Sequence, residues 1–215
     1  MDTRTLAMVA VAIALVTAGC GFLLGTEALV FSASEATVSE DAVTEAGYEE
    51  TNVTEKNITR EFSAAGQTRE VTAVNQLAKY ERAVELSPLD ESRRAAMFTV
   101  FASPEVEVAG EAFNPIEDLS EREILNRFDS QYSGIEVGEQ VGSRNVSSLG
   151  SERNVSKFTG TATLAGQDVD VYIHASKFKH EGDFIAVVAI YPQNVPGEED
   201  RVVTMFEGLE HSGDN

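Results

Sequence analysis

The stretch FTGTATLAGQDVDVYIHASKFKHEGDFIAVVAIY (158–191) decides the fold. Phe158, Gly160, Ala162 and Leu164 alternate with Thr159, Thr161 and Thr163. After a turn at Ala165-Gly166-Gln167, Val169, Val171, Ile173 and Ala175 alternate with Asp168, Asp170, Tyr172 and His174. A period of two sends successive side chains to opposite faces, so these segments read as antiparallel strands with one wet face. His180-Glu181-Gly182-Asp183 turns the chain again, and residues 184–191 are apolar at every position. A strand apolar on both faces has to be central and covered on each side. Pro192 and Pro196 end the sheet.

Beyond the sheet, Glu198-Glu199-Asp200 suits the positive end of a last helix whose buried stripe is Val202, Val203, Met205, Phe206 and Leu209. On the other side, Ser120 and Glu123 form a capping box with Leu119 and Ile124 as its staple. That helix buries Ile124, Leu125, Phe128 and Tyr132. Further upstream, residues 95–102 (AAMFTVFA) are apolar on both faces and read as a second buried strand, although a helix fits the same pattern. Residues 48–85 read as a long hairpin turning at Ala65-Gly66-Gln67. Ser39 caps a two-turn connector helix, Glu40 to Ala46, which Gly47 stops. The expected class is therefore α+β: an antiparallel β-meander packed by two main amphipathic helices and one short connector helix. It forms a single domain over residues 28–211, with a disordered tail at 212–215.

The N-terminus carries a different message. Leu6 to Cys20, LAMVAVAIALVTAGC, places an uncharged run after Arg4 and small residues before the only cysteine. This is the layout of a lipoprotein signal peptide over residues 1–19, with Cys20 as the lipidated first residue and 20–27 as a short spacer. The 22 uncharged residues between Arg4 and Glu27 are also long enough for an uncleaved signal anchor. A fully secreted product is the third reading. All three place the domain outside the cytoplasmic membrane.

The 215 residues carry 36 acidic and 16 basic side chains, a net charge of −20. Such a surface repels phosphate backbones and excludes nucleic acid as a partner. At molar salt the Debye length falls to ~3 Å and the self-repulsion is screened. The charge is spread along the chain rather than held in one tail, which favours a salt-adapted protein over a merely acidic secreted one. One cysteine allows no intrachain disulfide and no cysteine-based metal cluster, so the domain holds together by packing.

Catalytic patterns are absent: there is no nucleophile elbow, phosphate-binding glycine loop, His-Glu-x-x-His or calcium loop. The three histidines are His174, His180 and His211. Asp170 and His174, four apart on a strand, lie ~13 Å from each other and share no metal. His180 falls in a turn and His211 in a frayed end, so no metal site and no cofactor is expected. Asn52, Asn57, Asn145 and Asn154 head N-glycosylation sequons. Asn57 is best placed, whereas Asn154 shares the parity of Phe158 and faces inward unless the strand is bulged.

Taken together, Ala18-Gly19-Cys20, AGQTREV (65–71), FNP (113–115), VGSRNV (141–146), VSKF (155–158), LAGQDVDVY (164–172) and IYP (190–192) resemble a family of haloarchaeal lipoproteins built on a domain of unknown function. That resemblance implies export and salt adaptation but no activity. More loosely, the order of strands and helices is similar to the PsbP-like sandwich of extracytoplasmic accessory proteins, which concerns fold alone. The expected function is a membrane-anchored extracytoplasmic lipoprotein, a non-enzymatic domain that binds an envelope protein or a small ligand. The alternative is an envelope hydrolase whose site forms only in the fold, drawing on His174, Asp170 and Ser176.

Overall fold

A computed structural model describes residues 28–64, 67–86, 91–108, 111–112, 114, 116–129, 134–164 and 167–211. The elements in chain order are β1 (Leu29–Ser32), β2 (Ala36–Val38), α1 (Glu40–Ala46), β3 (Glu49–Ala64), β4 (Gln67–Leu86) and β5 (Glu91–Pro104). Then come β6 (Glu107–Val108), β7 (Glu111–Ala112), α2 (Glu121–Asp129), β8 (Ile135–Ser148), β9 (Ser151–Leu164) and β10 (Gln167–His180). The last described elements are β11 (Asp183–Pro192), α3 (Glu198–Glu207) and β12 (Leu209–His211). Eight strands form one sheet in the order β1-β4-β5-β11-β10-β9-β8, with β3 also paired to β4. Two small ribbons, β12-β2 and β6-β7, stand apart from it.

Two compact units are present. Thr59–Thr72, the turn end of the β3–β4 hairpin, groups with residues 28–30. Within it the hydroxyls of Thr59 and Thr72 lie 2.8 Å apart, as do those of Ser63 and Thr68. The second unit comprises Phe31–Ile58 and the chain from Ala73 onward, and it contains the meander, the helices and the site.

Why β11 is central is visible in its register. It pairs antiparallel with β10 on one side (Ile173↔Ile190, His180↔Asp183) and with β5 on the other (Val187↔Val100). All ten of its residues are buried. Ile185, Val187, Ala189 and Tyr191 join a core with Val202, Met205 and Phe206 of α3 and Ala42 and Ala46 of α1. On the opposite face, Phe184 and Ala186 meet Ile116 and Ile124, while Val188 and Ile190 cluster with Leu125 of α2. The sheet is thus the middle layer, with α1 and α3 on one face and α2 on the other. The run at 95–102 is strand, inside β5.

Local signals explain the helices. Ser39 Oγ accepts from the Ala42 N–H, and the Gly47 N–H closes α1 on the Thr44 and Val43 carbonyls. The capping box of α2 forms: Ser120 N–H donates to Glu123 Oε2 at 2.8 Å and Glu123 N–H to Ser120 Oγ at 3.3 Å. Lys177 of β10 holds the turn before α2, donating to the carbonyls of Ile116, Glu117 and Leu119. Gly160 lets β8 and β10 close over it; a Cβ there would meet Glu136 O at 2.6 Å and Ile173 Cδ1 at 2.9 Å.

The α+β expectation is overturned. The described residues are mostly β, 68% strand against 15% helix, and the three helices among them are small rather than two being main packing elements. The reason lies in segments that alternation does not mark. Most of β8 is exposed on both faces, so it carries no apolar period, yet it runs 14 residues beside β9. Strands held by backbone ladders and polar cross-strand pairs need no hydrophobic signature.

Candidate functional site

Histidines that sit far apart in the sequence meet at one end of the sheet. The β10–β11 hairpin turns through two residues, Glu181 (φ 47) and Gly182 (φ 89). Both are left-handed, as a two-residue hairpin turn of the mirror-image type requires. That turn pairs His180 with Asp183, so their side chains share a face. From the other direction, α3 ends at Gly208, where a Cβ would meet Ala42 Cβ at 2.2 Å. The chain then enters β12, which pairs Leu209 with Val38 and His211 with Ala36. The C-terminal end is therefore not frayed at His211, contrary to the reading from sequence: its ring is buried.

There, His211 Nδ1 lies 2.9 Å from His180 Nδ1, the rings meeting at 66° with centroids 5.2 Å apart. The other His211 nitrogen, Nε2, lies 3.0 Å from Asp183 Oδ2. That same oxygen accepts the Ser34 N–H at 2.8 Å. A carboxylate only accepts, so His211 Nε2 carries a proton toward Asp183 and turns Nδ1 toward His180. Burial holds the His180 imidazole below its usual range; Glu181 opposes this, while His211 and Arg153 reinforce it. Beside Asp183 a cleft of about 180 Å³ opens between Ser34, Glu105, Glu181 and Gly182.

Farther along β10, His174 is buried under α3. Its Nε2 lies 3.0 Å from the Tyr191 hydroxyl and its ring stacks on the Tyr191 ring, centroids 5.5 Å apart. Tyr172 meets Tyr191 edge-on and carries Lys157 Nζ over its own ring at 3.9 Å; Lys157 in turn donates to Glu199 at 2.6 Å. The wet face read from the alternation therefore ends near Asp170. Beyond it the same face is covered, with Tyr191 against Tyr172 and His174 and Lys157 reaching Glu199 of α3.

The hydrolase trio does not assemble. Ser176 Oγ is buried and donates to Asn154 O at 2.7 Å, His174 is committed to Tyr191, and Asp170 is exposed.

Burial lowers the His174 pKa to about 4, with Glu199 opposing and Lys157 and Arg144 assisting. Between the ordinary histidine value, ~6.5, and 4, the unfolded chain takes up a proton that the folded chain refuses, so stability falls as pH falls through that window. At pH 4 the loss is about 3 kcal/mol. Urea midpoints of wild type and His174→Gln at pH 7 and pH 4.5 test this: the acid-induced drop should be smaller in the variant.

The first member of the acidic triplet opening α3 faces inward rather than toward water. Glu198 is fully buried; it pairs with Arg82 and accepts the Tyr48 hydroxyl at 2.7 Å. Loss of water and the neighbouring carboxylate push the Tyr48 hydroxyl pKa far up, so it stays a donor.

Asn52, Asn57, Asn145 and Asn154 all lie exposed on strands. Asn154 pairs with Asn145 rather than facing inward. Val155 and Ser156 are both buried, so the parity changes there, opposite the irregular register at Gln140 and Gly142. Cys20, the signal segment at 1–19, the spacer at 20–27 and the tail at 212–215 lie outside the described residues. Among the described residues no helix is long and apolar enough to cross a membrane.

These features define a mostly β protein with polar clusters buried under small helices. The chain belongs to the family defined by a domain of unknown function, DUF6517, whose model matches residues 35–210. No curated protein matches it. The solution structure of cyanobacterial PsbP (CyanoP) from Synechocystis sp. PCC 6803 is similar at 9% identity, with a TM-score of 0.36, over 85% of this chain and 94% of that one.

Proposed function

We propose that this chain is a salt-adapted, extracytoplasmic binding domain tethered to the membrane by a lipid on Cys20, engaging an envelope protein or a small ligand without chemistry of its own. The observation that carries the reading is the run 6–20, LAMVAVAIALVTAGC, ahead of a family domain that starts at residue 35. Two features support it. No intrachain disulfide is available to a chain with one cysteine, so that thiol has no partner within the chain to compete with lipidation. β1, the first described element after the spacer, is an edge strand of the sheet, so a tether upstream of it interrupts no ladder. The charge of −20 supports the salt adaptation.

The test is fractionation with mass spectrometry of the membrane-derived protein. Mature chain beginning at a modified Cys20 is expected in the membrane, and Cys20→Ser should accumulate as precursor or appear in the medium. Wild type that keeps residues 1–19 would replace the lipid with a signal anchor. The same preparation should melt higher in molar KCl than at low salt; equal melting temperatures would remove the salt adaptation.

A further inference from the structure

We propose that His180, Glu181 and His211 form a binding site for a divalent transition-metal ion of the zinc type, with Asp183 as the residue that orients His211. One ligand atom from each of the three lies within 4.8 Å of the others. The two Nδ1 atoms are 2.9 Å apart. Nitrogens bound to one tetrahedral ion at ~2.0–2.1 Å sit about 3.3 Å apart, so the pair is within about half an ångström of the spacing a metal requires.

The hydrogen bond between the rings does not argue against an ion. With His211 Nε2–H directed at Asp183, a single proton lies between the two Nδ1 atoms. A dication takes the place of that proton, and if it left from His180 the ring regains it at Nε2. Both rings are then neutral ligands, and Glu181 supplies one negative charge.

Asp183 completes the arrangement that metal-bound imidazoles adopt, in which the far N–H is held by a carboxylate that fixes ring orientation and raises basicity. Its oxygen is itself anchored by the Ser34 N–H. The turn adds a further observation. Glu181 occupies a left-handed position (φ 47), where Asn, Asp or Gly is the favoured residue. A glutamate there gives up some turn stability and keeps a carboxylate beside the two rings.

Two imidazoles and a carboxylate select zinc, nickel or copper over calcium and magnesium, which take oxygen ligands. Of the three ligands only Glu181 lines the cleft beside Asp183. Because His211 is on the C-terminal strand and His180 on the β10–β11 hairpin, the ion would join the two. This inference does not rest on the tethering reading.

The probe is Zn²⁺ itself, added to the full-length chain purified in detergent without a polyhistidine tag and stripped with EDTA, in excess Mg²⁺. Calorimetric titration should give one Zn²⁺ per chain, and the melting temperature should rise with Zn²⁺ but not with Mg²⁺. His180→Ala removes a ligand and should weaken binding beyond the about 10–100-fold that loss of an outer partner costs. Glu181→Asn separates site from scaffold. It suits the left-handed turn, so the metal-free melting temperature should hold or rise while Zn²⁺ affinity falls at least tenfold. Should His180→Ala fail to fold, Glu181→Asn decides alone. A wild-type chain that shows no zinc-dependent shift, or binding that survives Glu181→Asn unchanged, overturns the proposal.

Discussion

Val188→Asp should unfold at a urea concentration about 2 M below wild type. Val188 is 3% exposed. It is flanked in register by Ala175 of β10 and Thr99 of β5, and packs in the cluster containing Leu125, Phe158 and Ile173. The substitution removes an apolar side chain worth about 1.5–3 kcal/mol of burial. It also places there a carboxyl with no partner, which costs about 2 kcal/mol or more even when it protonates. Together these reach about 4 kcal/mol, a large part of a domain's 5–15 kcal/mol. At a slope of about 2 kcal/mol per molar urea, that is the stated shift. Asp170→Asn is the control: it sits two strand positions from Tyr172 but is exposed, and its midpoint should move by no more than about 0.3 M. If Val188→Asp unfolds with wild type, β11 is not the centre of the core.

That centre was legible in the sequence because a strand buried on both faces has to be apolar at every position, and residues 184–191 are. The connector helix and the capping box of α2 were legible too, because caps are local chemistry: Ser39 with Gly47, Ser120 with Glu123. What alternation missed were β8 beyond Ile135 and Val137, which the sequence does mark as strand, and the first half of β9, where Arg144, Asn145 and Asn154 face solvent. An exposed ladder carries no apolar period, so the share of strand was underestimated and the helices were given too much of the packing.

The histidine cluster was hidden for another reason. The two-residue turn 181–182 was visible, and hairpin register alone places His180 opposite Asp183. His211 joins them only because β12 pairs with β2, 173 residues earlier in the chain. No local pattern encodes a three-residue ribbon of that span. The burial of His174 and Ser176 has the same origin: His174 stacks on Tyr191 of β11 and Ser176 bonds to Asn154 of β9, partners that only strand pairing supplies.

Glu198 shows how such an event changes the meaning of a residue, and removing it is the second large effect expected. At the start of a helix an acidic triplet reads as dipole compensation in water. In the fold, Glu198 has no exposure, whereas the side chain of its partner Arg82 is 18% exposed. Glu198→Ala therefore leaves Tyr48 as a buried donor without its acceptor and Arg82 as a charge half-withdrawn from water. Breaking a buried pair on one side costs about 3–5 kcal/mol, and the access Arg82 has to solvent places this case toward the lower end. Replacing the whole unit is a different matter. Tyr48→Phe, Arg82→Met and Glu198→Met together remove both the charges and the need to satisfy them, and apolar groups of similar volume restore the packing. The triple variant should recover at least half of the stability that Glu198→Ala loses. Urea denaturation of the two variants beside wild type gives the comparison. A triple variant no more stable than Glu198→Ala would mean that the ion pair is itself a net source of stability, rather than a group of polar residues that must be kept or lost together.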